Sequence, residues 1–160
     1  MLIGVLSDTH GDLEAAGRAL RQMGEIDMLL HAGDHYRDAA HLARLLAVPV
    51  HAVVGNCDPR TDGPGEKLLA VEGVTILLTH GHLYDAHYSP LKLFYRAREL
   101  QAGLVVYGHT HIPYDGECER IRLFNPGSVH HPRGGAGPGY GLLEIEGGRI
   151  VGGRLCALRA

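Results

Sequence analysis

Apolar residues along this chain fall into short dense runs, and nearly every run stops at a cluster of Gly, Asp, Asn or His. Residues 2–7, Leu-Ile-Gly-Val-Leu-Ser, are the first such run. Dense runs of this length with abrupt polar ends are the pattern of strands covered on both faces. The same reading predicts strands over 27–32, 49–54, 67–71, 74–79 and 104–107. Between them the spacing becomes helical. Leu13, Ala16, Ala19, Leu20 and Met23 share one face of a predicted helix over 12–24, which Gly24 ends. Ala39, Leu42, Ala43 and Leu46 do the same over 36–47, and a third helix is predicted over 89–102, with Pro90 in its first turn. Segments 56–66 and 130–139, rich in Pro and Gly, read as loops.

Beyond Gly108 the helical spacing disappears. Residues 117–124 and 140–145 alternate, Gly147-Gly148 signals a hairpin, and 149–158 runs back. No linker or repeat divides the chain, so 1–160 reads as one domain of the α/β class. The expected architecture is two sheets face to face with helices outside, an α/β/β/α sandwich.

Composition narrows the function classes. With 160 residues, 45% hydrophobic and 21% charged, the chain can bury a full core and is not of disordered type. A formal charge of −3 argues against a dedicated nucleic-acid surface. No apolar stretch approaches a membrane span, and the N-terminal run is too short for a secretory signal. Cys57, Cys118 and Cys156 are odd in number and scattered, which favours a reducing compartment. A cytoplasmic protein is therefore expected, with a homodimer or higher homo-oligomer as the symmetric default. Twelve histidines are more than such a chain needs, and their positions carry the argument.

The polar clusters sit where strands end. The first strand runs into Asp8-Thr9-His10, the second into Gly33-Asp34, and the third into Gly55-Asn56-Cys57-Asp58. Strand 74–79 runs into His80-Gly81-His82, and strand 104–107 into Gly108-His109-Thr110-His111. In an α/β sheet the carboxyl ends of parallel strands face one ligand-binding crevice. Asp8 and His10 are two apart, as are His109 and His111, so extended backbone would turn each pair to one side. Carboxylate, amide and imidazole donors without thiolate suit Mn²⁺, with Ni²⁺, Zn²⁺, Fe²⁺ and Co²⁺ as alternatives. Seven such donors exceed one tetrahedral ion and suit two divalent metal ions sharing a carboxylate.

In this order, Asp8-x-His10, Gly33-Asp34, Gly55-Asn56-x-Asp58, His80 and Gly108-His-Thr-His111 resemble the calcineurin-like metallophosphoesterases. More narrowly, they resemble the small bacterial and archaeal phosphodiesterases of the YfcE type. The resemblance runs from Asp8 to His111, and Asn125-Pro126-Gly127-Ser128 resembles a further family stretch. It implies that Asp8, His10 and His111 hold one metal ion, that Asn56, His80 and His109 hold a second, and that Asp34 bridges them. It also implies a hydrolase for small phosphodiesters, in which a hydroxide between the two ions attacks phosphorus in line. Two dications against two carboxylates leave +2 to attract that substrate.

One position departs from the pattern. Where many members of the family carry His between the Asn and the acidic residue, this chain has Cys57. A thiol is a poor acid for a leaving group, which disfavours phosphomonoesterase or protein phosphatase activity and favours good leaving groups. Cys57 and Asp58 accordingly join Asp34, Asn56 and His80 as candidate catalytic residues, although Asp58 is better suited to orienting its loop. His82 or His35 is a candidate to take over part of the role of the missing imidazole, the alternative being that both only line the pocket. A second resemblance, to the non-catalytic retromer scaffold Vps29, implies a protein that has lost part of the ligand set, whereas all seven donors stand here.

Overall fold

A computed structural model describes residues 1–160. Ten strands, three helices and one short 3₁₀ turn form two five-stranded sheets. The first sheet is built from β1 (Leu2–Leu6), β2 (Met28–His31), β3 (Val50–Ala52), β9 (Gly139–Glu146) and β10 (Arg149–Ala157), in the order β10-β9-β1-β2-β3. The second contains β4 (Glu66–Val71), β5 (Val74–Thr79), β6 (Leu104–Val106), β7 (Tyr114–Cys118) and β8 (Ile121–Asn125), in the order β4-β5-β6-β8-β7.

Each apolar run has two jobs, which is why it does not alternate. Ile3 and Val5 of β1, Ile76 and Leu78 of β5, and Leu104 and Val106 of β6 meet in the core between the sheets. Their neighbours point outward and are covered by helices. Leu6 and Leu29 pack under α1 (Leu13–Met23) and α2 (Tyr36–Ala43), while Leu77 and Val105 pack under α3 (Leu91–Glu99). The result is the expected four-layer α/β/β/α sandwich. Asp12 caps α1, its carboxylate accepting from the Ala15 N–H at 2.9 Å. The longest helix has 11 residues, and none is long and apolar enough to cross a membrane.

The C-terminal strands join both sheets: β9 pairs antiparallel with β1 inside the first, and β8 runs parallel to β6 inside the second. The alternation read over 117–124 is a hairpin, not one strand. Glu119 and Arg120, at φ 46° and 67°, turn the chain between β7 and β8 without the glycine that such a turn usually takes. The predicted second helix also stops at Ala43, short of residue 47.

The arrangement decides where chemistry can sit. β1, β2 and β3 are parallel in one sheet, and β5 and β6 are parallel in the other. Five strand ends therefore open onto the same edge of the sandwich, three from one sheet and two from the other.

Candidate metal centre

Asp8, His10, Asp34 and His111 come together at that edge, each offering a ligand atom within 4.8 Å of the others'. His111 Nε2 lies 3.0 Å from Asp8 Oδ1 and 3.3 Å from His10 Nε2. Asp34 faces two ways, with Oδ2 at 3.6 Å from His10 Nε2 and Oδ1 at 3.4 Å from His80 Nε2. His80 Nε2 lies in turn 3.2 Å from Asn56 Oδ1. The ring of His109 stands 5.2 Å from that of His80, centroid to centroid, outside the tight four-residue group. Asp34 thus stands between two donor sets, Asp8/His10/His111 and Asn56/His80 with His109 alongside.

These atoms point at one another without bonding well. The Nδ1 of His80 donates to the Ala32 carbonyl at 2.7 Å, and that of His111 to the His131 carbonyl at 2.6 Å. A carbonyl only accepts, so each Nδ1 bears a proton and each Nε2 is the atom turned toward a carboxylate. Asp8 Oδ1, fully buried, has no hydrogen-bond partner. Carboxylate, amide and imidazole donors crowded this closely need positive charge between them, as protons or as metal ions, and the donor set fits divalent metal ions.

The electrostatics agree. Burial pushes the Asp8 carboxyl up, but His111, His80 and Ser7 outweigh it and hold the group below its usual range. Asp34 is likewise pushed up by burial, yet His80 and the Cys57 N–H hold it far below the ordinary carboxylate range. Burial lowers His80 and His111, and the facing carboxylates more than reverse this, raising both. Protons on these imidazoles take up the negative charge that a bound cation would otherwise balance. Burial, with His80 next, pushes His109 down to about 4, so its ring is neutral and ready to donate a lone pair.

Left-handed backbone aims the ligands. Asp8, His10, Asp34, His109 and His111 all have φ between 46° and 68°. The expectation of extended backbone is therefore wrong: tight left-handed turns bring Asp8 and His10 together, while His109 stands beside His80, apart from the group that holds His111. Such backbone costs non-glycine residues about 1–2 kcal/mol each, so something must hold it. Glycine permits the closest approaches. A Cβ on Gly55 would stand 2.0 Å from Asp34 Oδ1, and one on Gly108 would stand 1.8 Å from Ser7 Oγ.

Part of the hold is a buried chain of hydrogen bonds that sequence reading missed. The Gly33 N–H donates to His31 Nδ1 at 3.3 Å, which leaves the proton on His31 Nε2. That Nε2–H donates to Thr9 Oγ1 at 3.1 Å, and the Thr9 hydroxyl donates to Asp38 Oδ2 at 2.6 Å. The Gly11 N–H also donates to Asp38 Oδ2, at 2.9 Å. The chain ties the Asp8-Thr9-His10 turn to the Gly33-Asp34 turn. Burial pushes His31 down to about 4, keeping it neutral as the chain requires. Thr9, His31 and Asp38 are common residues far apart in sequence, with no spacing to betray them. Ser128 supports the same turn by donating from Oγ to the Asp8 carbonyl at 2.8 Å.

The candidate catalytic loop is also defined. Cys57 Sγ accepts from Asn56 Nδ2 at 3.6 Å, which turns Asn56 Oδ1 toward His80. The Cys57 N–H donates to Asp34 Oδ1 at 3.0 Å. Burial and then Asp34 push the Cys57 thiol up to about 11, so it stays protonated and unreactive near neutral pH. Asp58 uses Oδ1 to accept from the Tyr36 N–H and Oδ2 to accept from the Gly55 N–H, both at 2.8 Å, and so holds its loop. His82 stacks near His80 and His109, at 5.4 and 6.1 Å between centroids, and His35 stands 5.4 Å from His10 on the other flank.

The sequence profile of the calcineurin-like phosphoesterase superfamily domain matches residues 1–148. The chain belongs to that superfamily. Among its metallophosphoesterase relatives, the probable metallophosphoesterase YsnB of Bacillus subtilis is 35% identical over 147 residues, covering 91% of this chain and 85% of its own. The phosphodiesterase YfcE of Escherichia coli is 34% identical, covering 88% and 85%. A Streptococcus pneumoniae protein, a predicted phosphoesterase, superposes with TM-score 0.78 at 33% identity, covering 91% of this chain and 83% of that one. Vps29 of Entamoeba histolytica in complex with Zn²⁺ shares the fold, with TM-score 0.77 at 24% identity, covering 94% and 89%. As a calcineurin-like phosphoesterase, this chain is a metal-dependent hydrolase of phosphate esters.

Proposed function

We propose that this enzyme is a phosphodiesterase acting on small diesters with two divalent cations, Mn²⁺ first among them. One observation carries the reading: two buried carboxylates and the Nε2 atoms of His10, His80 and His111 converge at one edge of the sandwich. Asp34 offers one oxygen to each side. In this reading Asp8, His10 and His111 hold one ion, Asn56, His80 and His109 the other, and Asp34 both. When bound, the ions would supply Lewis acidity toward a phosphate and a water acidified toward neutrality.

The chain's own residues do the rest. Asp8 and Asp34, held ionised, place two fixed negative charges that bind dications and leave a net attraction for an anionic substrate. The backbone carbonyls of Ala32 and His131 lock His80 and His111 in the donating tautomer. Cys57 orients Asn56 but brings no imidazole to a departing alkoxide. Esters with acidic leaving groups therefore turn over best, which favours diesters over the phosphomonoesterase alternative. YfcE, a relative at 34% identity, bears the name phosphodiesterase. A non-catalytic role like that of the Vps29 scaffold is disfavoured because no donor of the set is missing. Such a small hydrolase, with unpaired cysteines and no membrane-crossing helix, suits the cytoplasm.

The test is hydrolysis of bis-p-nitrophenyl phosphate by metal-free protein reloaded with single cations. Turnover with Mn²⁺ or Ni²⁺, exceeding that of p-nitrophenyl phosphate, supports the reading. No turnover above blank with Mn²⁺, Ni²⁺, Co²⁺, Zn²⁺ or Fe²⁺ refutes it.

A further inference from the structure

Beside the metal centre, on the Asn56 and His82 flank, lies a cavity of ≈440 Å³ lined by Asn56, Asp58, Arg60, His82 and Leu83 among others. That volume accepts a ring-sized group. It opens from Asn56, a donor of the proposed centre, so whatever hangs from a phosphate held there reaches into it. Its walls are mixed. Leu83, 56% exposed, gives an apolar side, and His82 gives a ring whose buried Nδ1 has no hydrogen-bond partner.

Arg60 makes no ion pair in this cavity, although the Asp58 carboxylate lines it as well. Arg60 is flanked in sequence by two acids, Asp58 and Asp62, and both are engaged elsewhere. Asp58 accepts from the backbone of Tyr36 and Gly55, and Asp62 pairs with Arg37 at 2.9 Å. Arg60 is the only Lys or Arg in the lining. An unpaired guanidinium beside an apolar wall presents a fork that matches a phosphate or carboxylate.

We propose that this cavity receives one ester arm of the phosphodiester and that Arg60 pairs there with a second anionic group borne by that arm. The preferred substrate class is then a diester with a ring on one arm and a phosphate or carboxylate beyond it. This rests on the phosphodiesterase reading, and it makes Arg60 a specificity residue remote from the reacting phosphorus.

The test compares the p-nitrophenyl ester of thymidine 5′-phosphate with the same ester carrying an added 3′-phosphate, on Mn²⁺-loaded protein. Wild type should favour the 3′-phosphorylated ester in kcat/KM by tenfold or more, and Arg60→Ala should bring the ratio near one. Arg133→Ala removes one charge on the opposite flank, beside His111, and should keep the preference. Calorimetric binding of thymidine 3′,5′-bisphosphate against thymidine 5′-phosphate reads the same contrast without turnover, so it separates this proposal from the activity itself. A wild type without preference, an Arg60→Ala variant that retains it, or an equal loss in Arg133→Ala overturns the proposal.

Discussion

Replacing Thr9 by Val deletes one hydroxyl at the middle of the chain that joins the two carboxylate-bearing turns. Thr9 is fully buried, and its Oγ1 accepts from His31 and donates to Asp38. The variant leaves the His31 Nε2–H without an acceptor, at about 1–3 kcal/mol for a buried donor. It also removes a hydrogen bond to a charged carboxylate, about 1.5–3 kcal/mol, although Asp38 keeps the Gly11 N–H. Valine fills the space, so no cavity adds to this, and destabilisation of about 3 kcal/mol is expected. Part of it should appear as weaker metal binding, since the same bonds hold His10 and Asp34 in place; losing such support commonly costs 10–100-fold in affinity. Urea unfolding in EDTA reads the first effect and calorimetric Mn²⁺ titration the second, with Thr9→Ser expected to restore both. A Thr9→Val protein within 0.5 kcal/mol of wild type and with unchanged Mn²⁺ affinity would refute the reasoning.

Cys57→His supplies the missing imidazole beside Asn56. It should raise turnover of a diester with an alkyl leaving group relative to bis-p-nitrophenyl phosphate, and an unchanged ratio would show that position 57 takes no part in leaving-group departure. Acid should destabilise the metal-free protein in a defined window. His31 titrates near 6.5 when unfolded and at about 4 when folded, so the unfolded chain binds the extra proton between these values. Stability from this group is complete above pH 6.5 and falls by about 3 kcal/mol on acidification to pH 4. Urea midpoints in EDTA across that range should show the loss, and His31→Gln should flatten the slope by about one proton. An identical slope in the variant contradicts the assignment.

The fold was legible because its polar breaks coincide with strand ends. Runs such as Leu2–Leu6 and Val74–Thr79 are apolar on both faces, since one face meets the other sheet and the other meets a helix. The turn at Glu119-Arg120 was not legible, because two charged residues occupy backbone that the rules reserve for Gly or Asn. At the site, donor types and their order pointed to Asp8, His10, Asp34 and His111, which the structure gathers. Their means of convergence was hidden, since left-handed φ at non-glycine residues follows from tertiary hydrogen bonds rather than local preference. The same holds for Thr9, His31 and Asp38. Arg60 shows a related limit: what distinguishes it is that Asp58 and Asp62 are committed elsewhere, and only coordinates show that.

The proposed sharing of Asp34 between two cations is tested directly by low-temperature electron paramagnetic resonance of the Mn²⁺-loaded protein. Two Mn²⁺ ions joined through one carboxylate give an exchange-coupled spectrum at two equivalents, and Asp34→Asn should abolish the coupling and reduce the bound metal. A wild-type protein that saturates at one equivalent, or that shows only the six-line signal of isolated Mn²⁺ at two, contradicts it.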